Sequence, residues 1–311
     1  MMAAKTHKVA IVGVGKIARD QHVPAIERSQ SFELAATASR NAEISGTRAY
    51  RTLAELLDAE PGITCISLCT PPQARYADAR LALKAGRHVM LEKPPGATLS
   101  EVHDLVELAR SKNVSLYATW HSRHAAAVDA AREWLAGRRI DAIRINWKED
   151  VRYWHPGQEW IWEAGGVGVF DPGINGLSVL TEILPFPIHL ASAELSFPEN
   201  RNTPIAASLR FRAPTNIPIT AEFDWLEEGS PLWDIEIDTD GGAMLLREGG
   251  ARLLIDGKEK ASGGDAEYPR LYARFAELIP TGAIEVDLAP MRHVADAFTL
   301  GKRVTVAPFH W

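Results

Sequence analysis

The sequence predicts a doubly wound parallel α/β domain over residues 1–123, followed by an α+β domain over 124–311 built on a large, mostly antiparallel open sheet. Three observations predict it. Short apolar runs alternate with helical stretches up to Trp120, a glycine turn follows the first apolar run, and beyond residue 124 the rhythm changes to strands of period two. At 311 residues the chain is also too long for one small core and suits two domains.

Residues 8–13, 32–39, 64–70, 88–92 and 115–120 are short, apolar and rich in Val, Ile and Leu, as strands are. Between them, 16–29, 53–60, 75–85 and 99–111 carry apolar residues at helical spacing. In the last of these Leu99, Val102, Val106 and Ala109 form one stripe, and Thr98 with Glu101 has capping-box spacing. Gly86 stands where a left-handed cap residue is needed. Strands separated by helices need crossovers, and crossovers produce a parallel sheet covered on both faces. Residues 124–137 then read as a connecting helix and 141–149 as a strand, before a long aromatic loop with Trp154, Trp160 and Trp162. After a helix at 170–184, Ile219, Ala221, Phe223 and Trp225 alternate with Thr220, Glu222 and Asp224, the mark of a sheet with one buried face. Turns at Asp240-Gly241-Gly242 and Glu248-Gly249-Gly250 separate three further strands, and a final helix spans 290–301.

Composition excludes several partners. A net charge of −6 disfavours nucleic acid and anionic membrane surfaces, and no run of about 18 apolar residues offers a membrane span. The start, Met1 to Lys5, leads into a strand with no apolar leader, so a cytoplasmic location is expected. Cys65 and Cys69 fit reduced thiols in core packing; on one strand they would stand about 13 Å apart, too far for a disulfide. No Cys/His spacing points to a metal. A monomer or a homodimer is expected.

The strand ending at Val12 runs into Gly13-Val14-Gly15-Lys16-Ile17-Ala18 and then a helix, which is the Rossmann dinucleotide fingerprint in its G-x-G-x-x-A form. Gly13 permits the tight turn, Gly15 lets the backbone approach the pyrophosphate, and Ala18 allows close helix packing. Lys16 and Ile17 open the helix whose free N–H groups face the phosphates. An NAD site usually has Asp or Glu at the end of the second strand; here Ser39-Arg40 stands there, and Arg40 can pair with a 2′-phosphate. NADP is therefore expected to be preferred and NAD tolerated. Thr70, Pro71, Glu92 and Lys93, at the carboxyl ends of later strands, complete the expected cofactor contacts. A lysine at that last strand end, in Leu91-Glu92-Lys93-Pro94-Pro95, can orient a substrate hydroxyl and lower its pKa.

With the fingerprint, the Glu-Lys-Pro strand end and the segment from Gly165 to Asn175, the chain resembles the Gfo/Idh/MocA oxidoreductases along its full length. The resemblance implies Lys93 and Asp171 as catalytic residues. It also implies a histidine where Asn175 stands, so Asn175 is expected to orient substrate without titrating. Within the family, the stretches 15–22, 90–98, 118–123 and 147–158 resemble the bacterial branch that oxidises C1 of L-arabinose and D-galactose. That likeness implies a sugar pocket lined by Lys93, His121, Glu149, Trp154, His155, Asp171, Asn175 and Trp233.

The residues alone leave alternatives open. Asp171 before Pro172 is also an ordinary helix start with Asp171 as cap. His121 is also a buried strand-end histidine, and Glu149 with His155 is also a solvated pair. Trp134, Trp147 and Trp225 are assigned to packing. A non-catalytic nucleotide or sugar sensor on the same scaffold, or an oxidoreductase for another polyol, remains the rival reading.

Overall fold

A computed structural model describes residues 7–311; the expectation for the first five residues lies outside them. Along the chain run β1 (His7–Val12), a π-wound turn (Ala18–His22), α1 (Val23–Arg28), β2 (Phe32–Ala38), β3 (Arg48–Tyr50), α2 (Leu53–Ala59), β4 (Cys65–Leu68), α3 (Pro72–Lys84), β5 (His88–Glu92), α4 (Leu99–Lys112) and β6 (Leu116–Thr119). There follow α5 (Val128–Leu135), β7 (Ile140–Lys148), α6 (Val151–Trp154), α7 (Phe170–Ile183), β8 (His189–Pro198), β9 (Ala206–Arg212), β10 (Ile219–Asp224) and β11 (Leu232–Thr239). The chain closes with β12 (Gly242–Arg247), β13 (Arg252–Ile255), β14 (Lys258–Ser262), α8 (Glu267–Leu278), β15 (Ile284–Glu285), α9 (Ala289–Leu300) and β16 (Lys302–Val306). Two compact units result: Met1–His121 with Tyr268–Asp287, and Ser122–Glu267 with Leu288–Trp311. The sequence reading kept everything after residue 123 together, whereas the contacts gather Tyr268–Asp287 with the first unit.

The first unit is a seven-stranded, wholly parallel sheet in the order β15-β6-β5-β4-β1-β2-β3. Period-two geometry sends Ala10 and Val12 of β1 to one face and Val9 and Ile11 to the other. The first face is covered by α2, α3 and α4 through Leu56, Ala79, Leu83, Leu105 and Ala109. The second is covered by Ala25 and Ile26 of α1 and by Tyr268, Leu271, Tyr272 and Phe275 of α8. The predicted strands and helices of this unit are present; β3, β15 and α8 were not anticipated. The chain order of the sheet reverses between β1 and β4, and that switch point is where an open α/β sheet offers a ligand crevice.

The second unit is a nine-stranded sheet, β14-β13-β12-β11-β7-β10-β9-β8-β16, antiparallel except for the pairs β7–β10 and β8–β16. Helix α7 lies close against it. A Cβ on Gly176 would come 2.7 Å from the Trp147 ring, so glycine there permits the approach. Among the described residues no helix is long and apolar enough to cross a membrane.

Candidate active site

In the first unit a cleft of about 570 Å³ opens at the switch point. Its floor is Gly13 to Gly15. Gly13 has φ +88°, and its N–H donates to the Ala38 carbonyl at 2.9 Å; a Cβ there would strike Thr70. Gly15 faces open space. Ser39, Arg40, Asn41, Arg51, Thr70 and Pro71 stand on the walls, so a nucleotide would meet bare backbone at one end and two guanidinium groups at the other. Asp78 is on the same wall; burial lifts its carboxyl above the usual range and Arg40 draws it back. Cys65 is fully buried and burial pushes its thiol up to about 12, while half-buried Cys69 packs against the core and also lines the cleft.

Lys93 leaves the end of β5 beside a buried polar cluster. Glu92 is 4% exposed; its Oε1 accepts from His22 Nε2 at 2.9 Å and from the Tyr268 hydroxyl at 2.8 Å, and its Oε2 accepts the Lys93 N–H at 3.0 Å. His22 Nδ1 lies 2.8 Å from the Tyr272 hydroxyl and 3.2 Å from Ser67 Oγ. Burial works against charge on both groups. On Glu92 the bonds from His22 and Tyr268, with the charges of His22 and His121, outweigh it and hold the carboxyl at about 2. On His22 the Cys69 and Tyr272 groups and the Glu92 carboxylate outweigh it, so the imidazole stays protonated well above its usual range. The result is an enclosed ion pair whose carboxylate holds the Lys93 amide. The His121 ring stacks on Tyr268 with centroids 5.6 Å apart.

In the second unit α6 is a four-residue turn capped by Asp150, whose carboxylate accepts the Arg152 N–H at 2.8 Å. That turn presents Trp154 and His155. The Val151 N–H also donates to the Trp225 carbonyl at 3.0 Å, tying the turn to the end of β10. Buried Glu149 accepts from Trp233 Nε1 at 2.9 Å and Trp225 Nε1 at 3.4 Å. His155 Nε2 lies 3.4 Å from Glu149 and 3.7 Å from the buried Asp171 carboxylate. Trp154 leans on Trp233 at 5.0 Å, and Trp233 is the cross-strand partner of Trp147. Asp171 does not cap α7: the helix starts at Phe170, its cap is Val169 with no side-chain bond, and Asp171 lies inside the first turn. Asn175, one turn on, is half-buried.

Comparison with known proteins gives a consistent picture. Residues 7–119 match the profile of an oxidoreductase family with an NAD-binding Rossmann fold. Galactose 1-dehydrogenase of Pseudomonas fluorescens is 43% identical over 303 residues, 97% of this chain and 98% of that protein. The chain belongs to the Gfo/Idh/MocA oxidoreductases. The crystal structure of a D-galactose-1-dehydrogenase from Rhizobium etli superposes with a TM-score of 0.96 at 55% identity, covering all of both chains. A 3-ketoreductase from Actinomadura kijaniata, in complex with NADP and TDP-benzene, shares the fold at a TM-score of 0.84 and 16% identity, over 97% of this chain and 100% of that one.

For this Gfo/Idh/MocA oxidoreductase, Gly13, Gly15, Ser39, Arg40, Thr70 and Pro71 stand on the cleft, while Lys16, Ile17, Glu92 and Lys93 are not among its lining residues. Lys16 pairs with Asp20 on the surface, Ile17 packs against the core, and the Glu92 side chain is turned into the His22 cluster. Glu149, Trp154, His155, Asp171 and Trp233 are gathered in the second unit. Sequence reasoning missed Arg51 and Asp78 on the cleft, His22 and Tyr268 on Glu92, and Trp225 as a donor to Glu149. For Tyr268 a signal existed: Tyr268, Leu271, Tyr272, Phe275 and Leu278 recur at helical spacing.

Proposed function

We propose that the protein is an aldose 1-dehydrogenase that oxidises C1 of D-galactose and L-arabinose, in pyranose form, to the aldonolactone, preferring NADP and accepting NAD. The observation that carries this reading is the full-length likeness to D-galactose 1-dehydrogenases. The cleft supports the cofactor assignment through its bare glycine floor and through Arg40 and Arg51, two cations suited to a 2′-phosphate. When bound, the nicotinamide supplies the hydride acceptor for the C1 hydrogen.

The chain's own residues do the rest. Asp171 takes the C1-hydroxyl proton, and His155, 3.7 Å away, gives that proton an onward partner. Lys93 stabilises the developing alkoxide. Asn175 orients the ring. Glu149, held by two indole N–H groups, keeps acceptor capacity for a sugar hydroxyl, and Trp154 and Trp233 offer apolar faces to the ring. His121 completes the set from the end of β6. The two sugars share configuration at C2, C3 and C4 and differ by a CH₂OH group at C5. A pocket bonding each ring hydroxyl rejects an epimer by about 10⁴-fold or more, while one missing carbon group costs only about 10–200-fold, so acceptance of both follows.

The test is initial reduction of NADP⁺ and NAD⁺ with D-galactose, L-arabinose, D-fucose, D-glucose and D-xylose at equal concentrations. Turnover confined to the first three sugars, faster with NADP⁺, is the expected result. Silence on every aldose with NADP⁺ still bound would move the protein to another substrate or to a sensor.

A further inference from the structure

We propose that Arg75 is a positioning residue that joins the Thr70-Pro71 wall of the cofactor cleft and the Lys93 loop into one body, so that an occupied cleft fixes where Lys93 stands. The inference rests on the reading of Lys93 as a catalytic residue and adds a residue to that site. Arg75 sits in the first turn of α3, directly after the cleft wall, and is 2% exposed. Its Nε donates to the Thr70 carbonyl at 3.1 Å, and its Nη2 donates to the same oxygen. Its Nη1 donates to the carbonyls of Glu92 and Pro94, the residues on either side of Lys93. One planar cation therefore grips one loop at a cleft-lining residue and the other loop on both flanks of the lysine.

The chemistry of the side chain explains the choice. Guanidinium presents its donors in a rigid plane, so three carbonyls held by it cannot shift independently. A lysine would offer one point charge on a flexible stem and could satisfy only part of the set. The two loops also have separate anchors of their own: the Cys69 N–H donates to Val12 in β1, and the Glu92 carboxylate accepts the Lys93 N–H. The first anchor ties the Thr70 loop to the neighbouring β1 and the second ties Lys93 to the end of β5, while Arg75 links the two loops.

The experiment compares the full chain with Arg75→Met and Arg75→Lys by amide hydrogen exchange, with and without NADP⁺, in segments 69–75 and 91–97. In the parent, NADP⁺ is expected to slow exchange in both segments. In Arg75→Met it should slow only the first, and Arg75→Lys should recover part of the effect in the second. The affinity for NADP⁺ should change less than about 5-fold while kcat falls about 10–100-fold, the scale of a small misplacement of a reacting group. A role in stability alone would lower the melting temperature and leave both the exchange pattern and kcat of the folded protein in place. Parental slowing of segment 91–97 in Arg75→Met, or no slowing there in the parent, overturns the proposal. If Arg75→Met does not fold, parental slowing of that segment in Arg75→Lys overturns it equally. Exchange needs no sugar, so a protein inactive on every aldose sinks the proposed function while this result still decides the role of Arg75.

Discussion

Two buried carboxylates, each beside a histidine, are handled in opposite ways. Glu92 in the first unit meets a fully enclosed His22, a tyrosine hydroxyl and a backbone N–H. Glu149 in the second meets two indole N–H groups and a histidine whose side chain is 18% exposed. The charge of Glu92 is answered inside the scaffold, and what it holds is the backbone of Lys93. Glu149 is held mainly by neutral donors at the ends of strands, next to Asp171 and a partly open histidine. The difference teaches that burial alone does not mark a functional carboxylate; the kind of partner separates a strut from a group still able to serve a ligand.

The first way to break that comparison is at the group Glu92 supports. Lys93→Ala should lower kcat by about 10²–10⁴-fold with NADP⁺ affinity nearly unchanged, since it removes charge stabilisation and no cleft wall. Full turnover in steady-state assays would strip Lys93 of its role. Next come the carboxylates themselves. Glu92→Gln breaks a buried ion pair and should cost about 3–5 kcal/mol in denaturant unfolding. Glu149→Gln should unfold close to the parent but lose about 10–100-fold in kcat/KM for the sugar, the scale of a bond to a charged group. If the two variants exchange these phenotypes, the strut and the ligand group have been assigned the wrong way round.

A third prediction concerns pH. Glu92 is depressed to about 2, so its contribution to stability is present above the ordinary carboxylate range and is lost as pH falls toward 2. His22 is raised, so its contribution is complete below about 6.5 and fades as pH rises through its folded value. The gap in melting temperature between the parent and His22→Gln should therefore be widest between about pH 4.5 and 6.5 and narrow on the alkaline side. A gap that widens above pH 7 contradicts the protonated pair. The smallest effect is at the cleft mouth: Arg40→Ser should reduce the NADP⁺-over-NAD⁺ ratio of kcat/KM by about 3–10-fold, because the lost ion pair is exposed to solvent. An unchanged ratio would leave Arg51 as the discriminating cation.

Much of this was legible in the sequence where composition carries the geometry. Val9 to Val12, Val89 to Leu91, and Ile66 with Leu68 are apolar because both sheet faces are covered, and Gly13 is glycine because its φ and its distance to Thr70 admit little else. Three-residue β3 has too few residues to show a period. Arg75 escaped for a different reason: its partners are main-chain carbonyls, which every residue has, so no pairing signal exists in the letters. Trp225 continues the buried side of the alternation one residue past β10, and nothing in that pattern says where its indole N–H is aimed. Asp-Pro spacing reads as a cap at Asp171 with Pro172 first in the helix, and it is corrected by a helix that starts two residues earlier, at Phe170.

The late position of α8 has a consequence for how the chain is made. The sheet of the first unit has its strands β1 to β6 in hand once Thr119 is synthesised, but the helix that covers Val9, Ile11 and Met90 and supplies the Tyr268 and Tyr272 hydroxyls arrives only after Ser122–Glu267. At about 5–20 residues per second, that interval lasts roughly 7–30 s on a translating ribosome. During it one face of the nucleotide unit is covered by α1 alone and the His22–Glu92 pair lacks its tyrosines, a window in which a nascent chain would depend on chaperones or on holding that sheet loosely formed until its last helix is delivered.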